Sequence, residues 1–200
     1  MKVVDTMLFK GTTTYSIIGD IVDYMKFSDG NVALYETAYS ISDVVQAVVE
    51  LEVEDAEAKN IELSYRVAED VPEQLLGDGG RIGQVLAKLV SNAILFKKDT
   101  TEKTKLEVLA DVRRDSYAHI LELRVCDRGK VMPEHAIKLF HDYFSRGILR
   151  LNEREENGDF SLSIVDLFVR QMQGKVSVTS NETEGTVFFI ELPQLEVTDS

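Results

Sequence analysis

Hydrophobic residues change period several times along this chain, and each change marks an element. Between Arg81 and Phe96 the apolar positions Ile82, Val85, Leu86, Leu89, Val90, Ala93 and Ile94 recur every three or four residues, which predicts an amphipathic helix. Asn92 lies just off that stripe, at an edge from which a side chain still reaches a cleft. Ile41, Val44, Val45, Val48, Val49 and Ala56 predict another helix, opened by the capping sequence Ser40-Ile-Ser-Asp43 and stopped near Asn60. Towards the N-terminus, Met7, Leu8, Ile17, Ile18, Ile21, Val22, Tyr24 and Met25 have helical spacing between Asp5 and Phe27. Gly11 and the run Thr12-Thr13-Thr14 weaken its first half, and Ser28-Asp-Gly-Asn31 ends it in a turn.

Strict alternation takes over elsewhere. Ile61–Val67, Leu106–Val112 and Ile120–Val125 read as strands, the last two joined around Asp115-Ser116. Tyr35–Tyr39 reads as a short strand, and Gly77-Asp-Gly-Gly80 as punctuation before the Arg81 helix. Met132–Phe144 predicts a short helix with Pro133 in its first turn. Residues 145–159 are polar and read as a loop, and Leu162–Met172 as a helix ended by Gly174. Val176–Ser180 and Thr186–Leu192 predict a closing hairpin around Asn181–Gly185. Helices mixed with mostly antiparallel strands in this order predict an α/β sandwich.

Composition narrows the function more than the fold. The chain has 200 residues, 44% hydrophobic and 28% charged, the composition of a globular domain. Its net charge of −13 excludes a nucleic-acid backbone as partner, which would require clustered Lys and Arg. No apolar run is long enough to span a bilayer and no signal pattern opens the chain, so a cytoplasmic location is expected. Cys126 is the only cysteine, lies in an apolar segment, and is read as a buried, inert thiol in a reducing compartment.

Several phrases then occur in a familiar order. Met25-Lys-Phe-Ser-Asp-Gly30 looks like the end of a dimerization helix, and Leu76–Val85 like the approach to an N box. Leu89-Val-Ser-Asn-Ala-Ile-Leu-Phe96 resembles the N box itself, Val125-Cys-Asp-Arg-Gly129 a G1 box and Leu139–Phe144 an F box. Gly158–Ile164 sits where a G2 box belongs, and Gly185–Pro193 closes the series. From Asp23 to Pro193 the chain resembles the ATP-binding half of sensor histidine kinases, preceded by the second dimerization helix. The resemblance implies an α+β fold: a two-layer α/β sandwich of the Bergerat type, with a mixed, mostly antiparallel sheet under a helical layer. It divides the chain into a dimerization-helix remnant (1–30), the ATPase domain (31–195) and a tail (196–200).

What the resemblance implies for the site can be taken residue by residue. Asn92 would offer an oxygen to Mg²⁺ at the nucleotide phosphates, Asp127 would accept the adenine amino hydrogen, and Gly129 would let backbone approach the base. Gly158 is the glycine left near the G2 box. Read without the family, Asn92 is a solvated helix-face residue and Asp127-x-Gly129 an ordinary turn at a strand end.

Departures from the family pattern crowd the phosphate side. Lys88 stands where a second Asn is usual, Leu95 where a cation would meet phosphate, and Val131 replaces the second G1 glycine. Asp159 and Ser161 replace the core G2 glycines whose amides would wrap the phosphates. A carboxylate there costs about 1–4 kcal/mol per charge pair, which Arg146, Arg150 and Arg154 could offset. Of the histidines, His119 lies in a strand and His135 on the helix after the G1 box. His141-Asp-Tyr-Phe-Ser145 mimics a phosphoacceptor motif in the wrong region, so the acceptor helix is expected upstream or was never present.

The sequence therefore supports a degenerate histidine-kinase-like domain, a pseudokinase with weak or absent Mg-ATP binding that acts by regulation or protein interaction. The partners expected are a second copy or another sensor kinase, as homodimer or heterodimer, and a response regulator receiver domain. The alternative is a divergent but active kinase module in which Asn92 holds Mg²⁺, Asp127 reads adenine and the lid arginines replace the missing phosphate contacts. A serine kinase of the same superfamily that regulates a transcription factor is a further reading, and the dimerization-helix remnant argues against it.

Overall fold

A computed structural model describes residues 34–97, 101–114, 119–129, 131–138, 140 and 161–196. The dimerization-helix region expected at 1–30, the connection at Asp115-Ser116, the lid with its arginines, His141, Gly158, Asp159 and the tail beyond Glu196 lie outside the described residues.

The elements are β1 (Thr37–Tyr39), α1 (Ile41–Ala58), β2 (Ile61–Val67), β3 (Leu75–Gly77), α2 (Gly79–Phe96), β4 (Thr104–Arg114), β5 (His119–Asp127), α3 (Ser161–Gln171), β6 (Lys175–Asn181) and β7 (Gly185–Glu196). Residues 134–138 are also helical, and the Pro133 carbonyl accepts from Ala136 N and Ile137 N. The described strands form one 7-stranded sheet in the order β1-β3-β7-β5-β4-β2, with β6 alongside β7. Only β2–β4 among these pairs is parallel. The expected α+β architecture, a mostly antiparallel sheet under a helical layer, is what the chain adopts.

Alternation explains the layers. Leu106, Val108, Ala110 and Val112 of β4, Leu121, Leu123 and Val125 of β5, and Phe188, Ile190 and Leu192 of β7 are buried on one sheet face. Against that face packs α2, flanked by α1 on one side and α3 on the other. The opposite face carries charge: Arg113 donates to Glu122 Oε1 at 3.0 Å and Glu191 Oε1 at 2.9 Å, and Arg124 lies over the Phe189 ring.

Caps set the helix limits. Ser40 Oγ accepts from Asp43 N at 3.3 Å, and α1 closes through Asn60 in a left-handed conformation (φ 57°), as the stop near Asn60 predicts. α2 starts two residues before the predicted Arg81, because the Asp78 side chain caps it by accepting from Arg81 N at 3.0 Å. β3 is absent from the sequence expectation, since a 3-residue strand shows no periodicity. The end of α3 also differs in detail. Gln173, not Gly174, takes the left-handed position (φ 58°), and Gly174 N closes the motif on Val169 O at 2.8 Å.

Candidate functional site

Asp127 is the last residue of β5, directly opposite Leu106 on β4 and Thr186 on β7. Its Oδ1 accepts the Gly129 N–H at 2.8 Å, which folds the chain back over the strand end. Burial pushes the Asp127 carboxyl above the usual range, while the Gly129 amide and the Lys97 charge pull it down. Both neighbouring glycines are required by space. A Cβ on Gly129 would stand 2.8 Å from Asp127 Oδ1. Gly185 has φ 76°, and a Cβ there would collide with the Asp127 carbonyl oxygen.

A hydroxyl pair backs this corner. Thr186 is buried, and its Oγ1 lies 2.8 Å from Ser180 Oγ on β6. Ser180 Oγ also accepts from Met132 N at 2.8 Å, which anchors the segment leaving Gly129 to the β6–β7 hairpin. The hairpin turn is tied by Asn181 Oδ1, which accepts from Thr183 N at 3.0 Å and Glu184 N at 2.8 Å. Val131 has no positive φ, so the route to this anchor does without the conformation a glycine would have allowed.

The second wall is α2, which packs on β5. Asn92 is 7% exposed, deeper than the edge position expected from the helical stripe. A buried amide of this kind is a bonded group with a fixed orientation. One turn on, Leu95 is 45% exposed on the last turn, where it presents a branched apolar side chain to solvent. The start of α2 is fixed by Asp78, whose Oδ2 also accepts Tyr35 N at 2.9 Å. Tyr39 adds a link across the sheet, its hydroxyl donating to Gln194 Oε1 at 2.7 Å, and burial pushes that phenol far up.

Of the residues chosen from the sequence, Asp127 and Gly129 come together at the end of β5, and Asn92 lies on the helix packed over that strand. Gly158 falls outside the described residues. Thr186, Ser180 and Gly185 were not selected from the sequence as site residues. A weak signal existed for Gly185, a glycine between a polar turn and an alternating strand. Thr186 and Ser180 carry none, because only the pairing of β5, β6 and β7 sets Thr186 opposite Asp127 and Ser180 opposite Thr186. Among the described residues no three or more His, Cys, Asp or Glu side chains are grouped to hold a metal ion, and no helix is long and apolar enough to cross a membrane. The Cys126 thiol is half-buried rather than buried as expected, because it alternates with the core positions Leu123 and Val125 of β5; burial pushes its pKa up, and the Glu107 charge adds to the effect.

Comparison with known proteins gives one consistent result. Residues 77–196 match the family model of the histidine kinase-, DNA gyrase B- and HSP90-like ATPases. The signal transduction histidine-protein kinase BarA of Escherichia coli K12 is 26% identical over 178 residues, which is 88% of this chain and 19% of BarA. The chain thus spans about a fifth of the length of such curated relatives. Full-length ShkA in complex with AMPPNP superposes with a TM-score of 0.73 at 22% identity, covering 95% of this chain and 38% of ShkA. Histidine kinase ThkA in complex with the response regulator TrrA gives a TM-score of 0.66 at 22% identity, covering 96% of this chain and 51% of ThkA. At these identities the two superpositions establish the fold.

Proposed function

Because this chain belongs to the histidine kinase-, DNA gyrase B- and HSP90-like ATPase family, we propose that it is the ATPase-type domain of a cytoplasmic two-component signalling protein. On this reading residues 31–195 form that domain and residues 1–30 belong to the dimerization helix. In its finer form the proposal is a regulatory pseudokinase: the domain keeps the base-reading end of the site and has lost much of the phosphate-holding end. Nucleotide binds weakly, and signalling runs through association with a second copy or another sensor kinase, and with a receiver domain.

The fit to Mg-ATP differs along the cleft. Asp127, backed by Thr186 and turned by Gly129, is an anionic acceptor in a partly dry corner, suited to an amino-bearing purine edge. Asn92 supplies a neutral oxygen that suits a hard divalent cation at the phosphates. When bound, Mg-ATP would bring a transferable phosphoryl group whose charge must be neutralised by the protein. The observation that carries the pseudokinase reading is Leu95: one turn beyond Asn92, at the position where the resemblance would put a cation, the helix end offers an exposed alkyl group. Calorimetric titration with Mg-ADP and a nonhydrolysable ATP analogue tests it. Tight binding of the analogue, together with phosphoryl transfer to a histidine-bearing fragment, would overturn it.

The active-kinase reading is favoured by one specific observation, the presence of Asp127–Gly129 at the end of β5 together with a buried Asn92 on the helix packed on that strand. Under that reading Asp127→Asn or Asn92→Asp abolishes nucleotide binding and transfer together. Under the pseudokinase reading only weak binding is there to lose.

A further inference from the structure

The end of α2 has no cap of its own. Its C-cap residue Lys97 is extended (φ −68°, ψ 109°), and the last turn contains no basic residue. Such an end leaves its final carbonyls without helical partners and carries the negative pole of the helix. The partner comes from the residue after α1: Lys59 Nζ donates to Ile94 O at 2.7 Å and to Leu95 O at 3.0 Å. In exchange, Lys97 Nζ reaches back to Asn60 O at 3.0 Å and to Glu102 O at 2.6 Å. The two ammonium groups thus cross between the helix ends.

The crossing reaches the strand that carries Asp127. Asn60 O also accepts Thr104 N at 3.2 Å, the first residue of β4. Leu106, two residues on, is the register partner of Asp127, and Lys105 O accepts Arg128 N at 3.0 Å. A run of hydrogen bonds and backbone therefore joins the last turn of α2, two residues past Asn92, to Arg128, the residue after Asp127.

We propose that Lys59 is a positioning residue of the nucleotide site: by capping α2 it holds the Asn92 end of the helix in register with the Asp127 end of β5. It touches neither base nor phosphate; it acts through the Ile94 and Leu95 carbonyls. The proposal rests on the nucleotide-site reading above, and its test separates the two.

Lys59→Met keeps the aliphatic stem and removes charge and donors, whereas Lys59→Arg keeps a cation able to donate to two carbonyls. In the full chain, Lys59→Met is expected to raise the Mg-ADP dissociation constant about tenfold. It is also expected to accelerate amide exchange at residues 94–97 without nucleotide, and Lys59→Arg to restore both. A purely structural role would lower the melting temperature and raise exchange throughout, leaving the ADP affinity of the folded protein unchanged; that result overturns the proposal. Unchanged exchange at residues 94–97 overturns it as well. If the wild-type chain binds no Mg-ADP, the nucleotide reading falls and the local exchange still decides the clamp. Should Lys59→Met fail to fold, Lys59→Gln, with one shorter donor, takes its place under the same criteria.

Discussion

The corner around Asp127 ends a strand and the end of α2 closes the helix packed on that strand, yet they are held in place by different means. At Asp127 the constraint is backbone against backbone: Gly185 at positive φ presses on the Asp127 carbonyl, and Gly129 folds onto the carboxylate. At α2 it is carried by long, flexible side chains, Lys59 and Lys97, which cross between neighbouring segments. The first arrangement tolerates almost no added volume. The second can be loosened by degrees, and it includes Leu95, where the resemblance would put a cation.

Gly185→Val is the hardest test of that contrast. It places a branched side chain in the left-handed region and against the Asp127 carbonyl, with an expected loss of about 3 kcal/mol or more in urea unfolding. A loss under about 1 kcal/mol would mean that the corner is not held by backbone packing.

Asp127→Asn comes next, and it should separate function from stability. Mg-ADP affinity is expected to fall about tenfold or more as the anionic acceptor disappears. Because burial raises the folded-state pKa of Asp127, its ionised form burdens the fold. That burden is absent at acid pH, grows as pH rises from the ordinary carboxylate range through the raised value, and is complete above it. The variant should therefore melt above the wild type at pH 7, and the difference should vanish in acid. Equal melting temperatures at pH 7 would remove the proposed tension.

Leu95→Lys probes the other end by restoring a cation beside the cleft. The ATP analogue should bind about fivefold more tightly at low ionic strength, with the gain fading in high salt. No gain at low salt would locate the phosphate deficit elsewhere. The smallest effect is expected from Ser180→Ala, which leaves Met132 N without its acceptor and costs about 1 kcal/mol. Thermal unfolding measures it, and a loss as large as that of Gly185→Val would place the hydroxyl pair among the main supports of the corner.

Among the described residues, the order of the elements other than β3 was legible in the sequence, and so were the helix that carries Asn92 and the strand that ends at Asp127. Each rests on information a few residues long: the helical stripe of α2, the alternation of β4, β5 and β7, and the Asn181 turn. What could not be read was who stands beside whom. β3 is too short to show a period and exists because its neighbours β1 and β7 supply hydrogen bonds. The depth of Asn92 is a matter of what packs around α2 rather than of spacing along it.

By itself, then, the sequence determined which faces are apolar, where helices start and stop, and which residues could carry nucleotide chemistry, because periodicity and capping act over a turn or a strand. Tertiary structure alone decided that Thr186 stands opposite Asp127, that Gly185 wedges beneath it, and that Lys59 rather than any residue of α2 caps the Asn92 helix. Those contacts join segments far apart in the chain, and their existence depends on sheet register and helix depth, which no local pattern encodes.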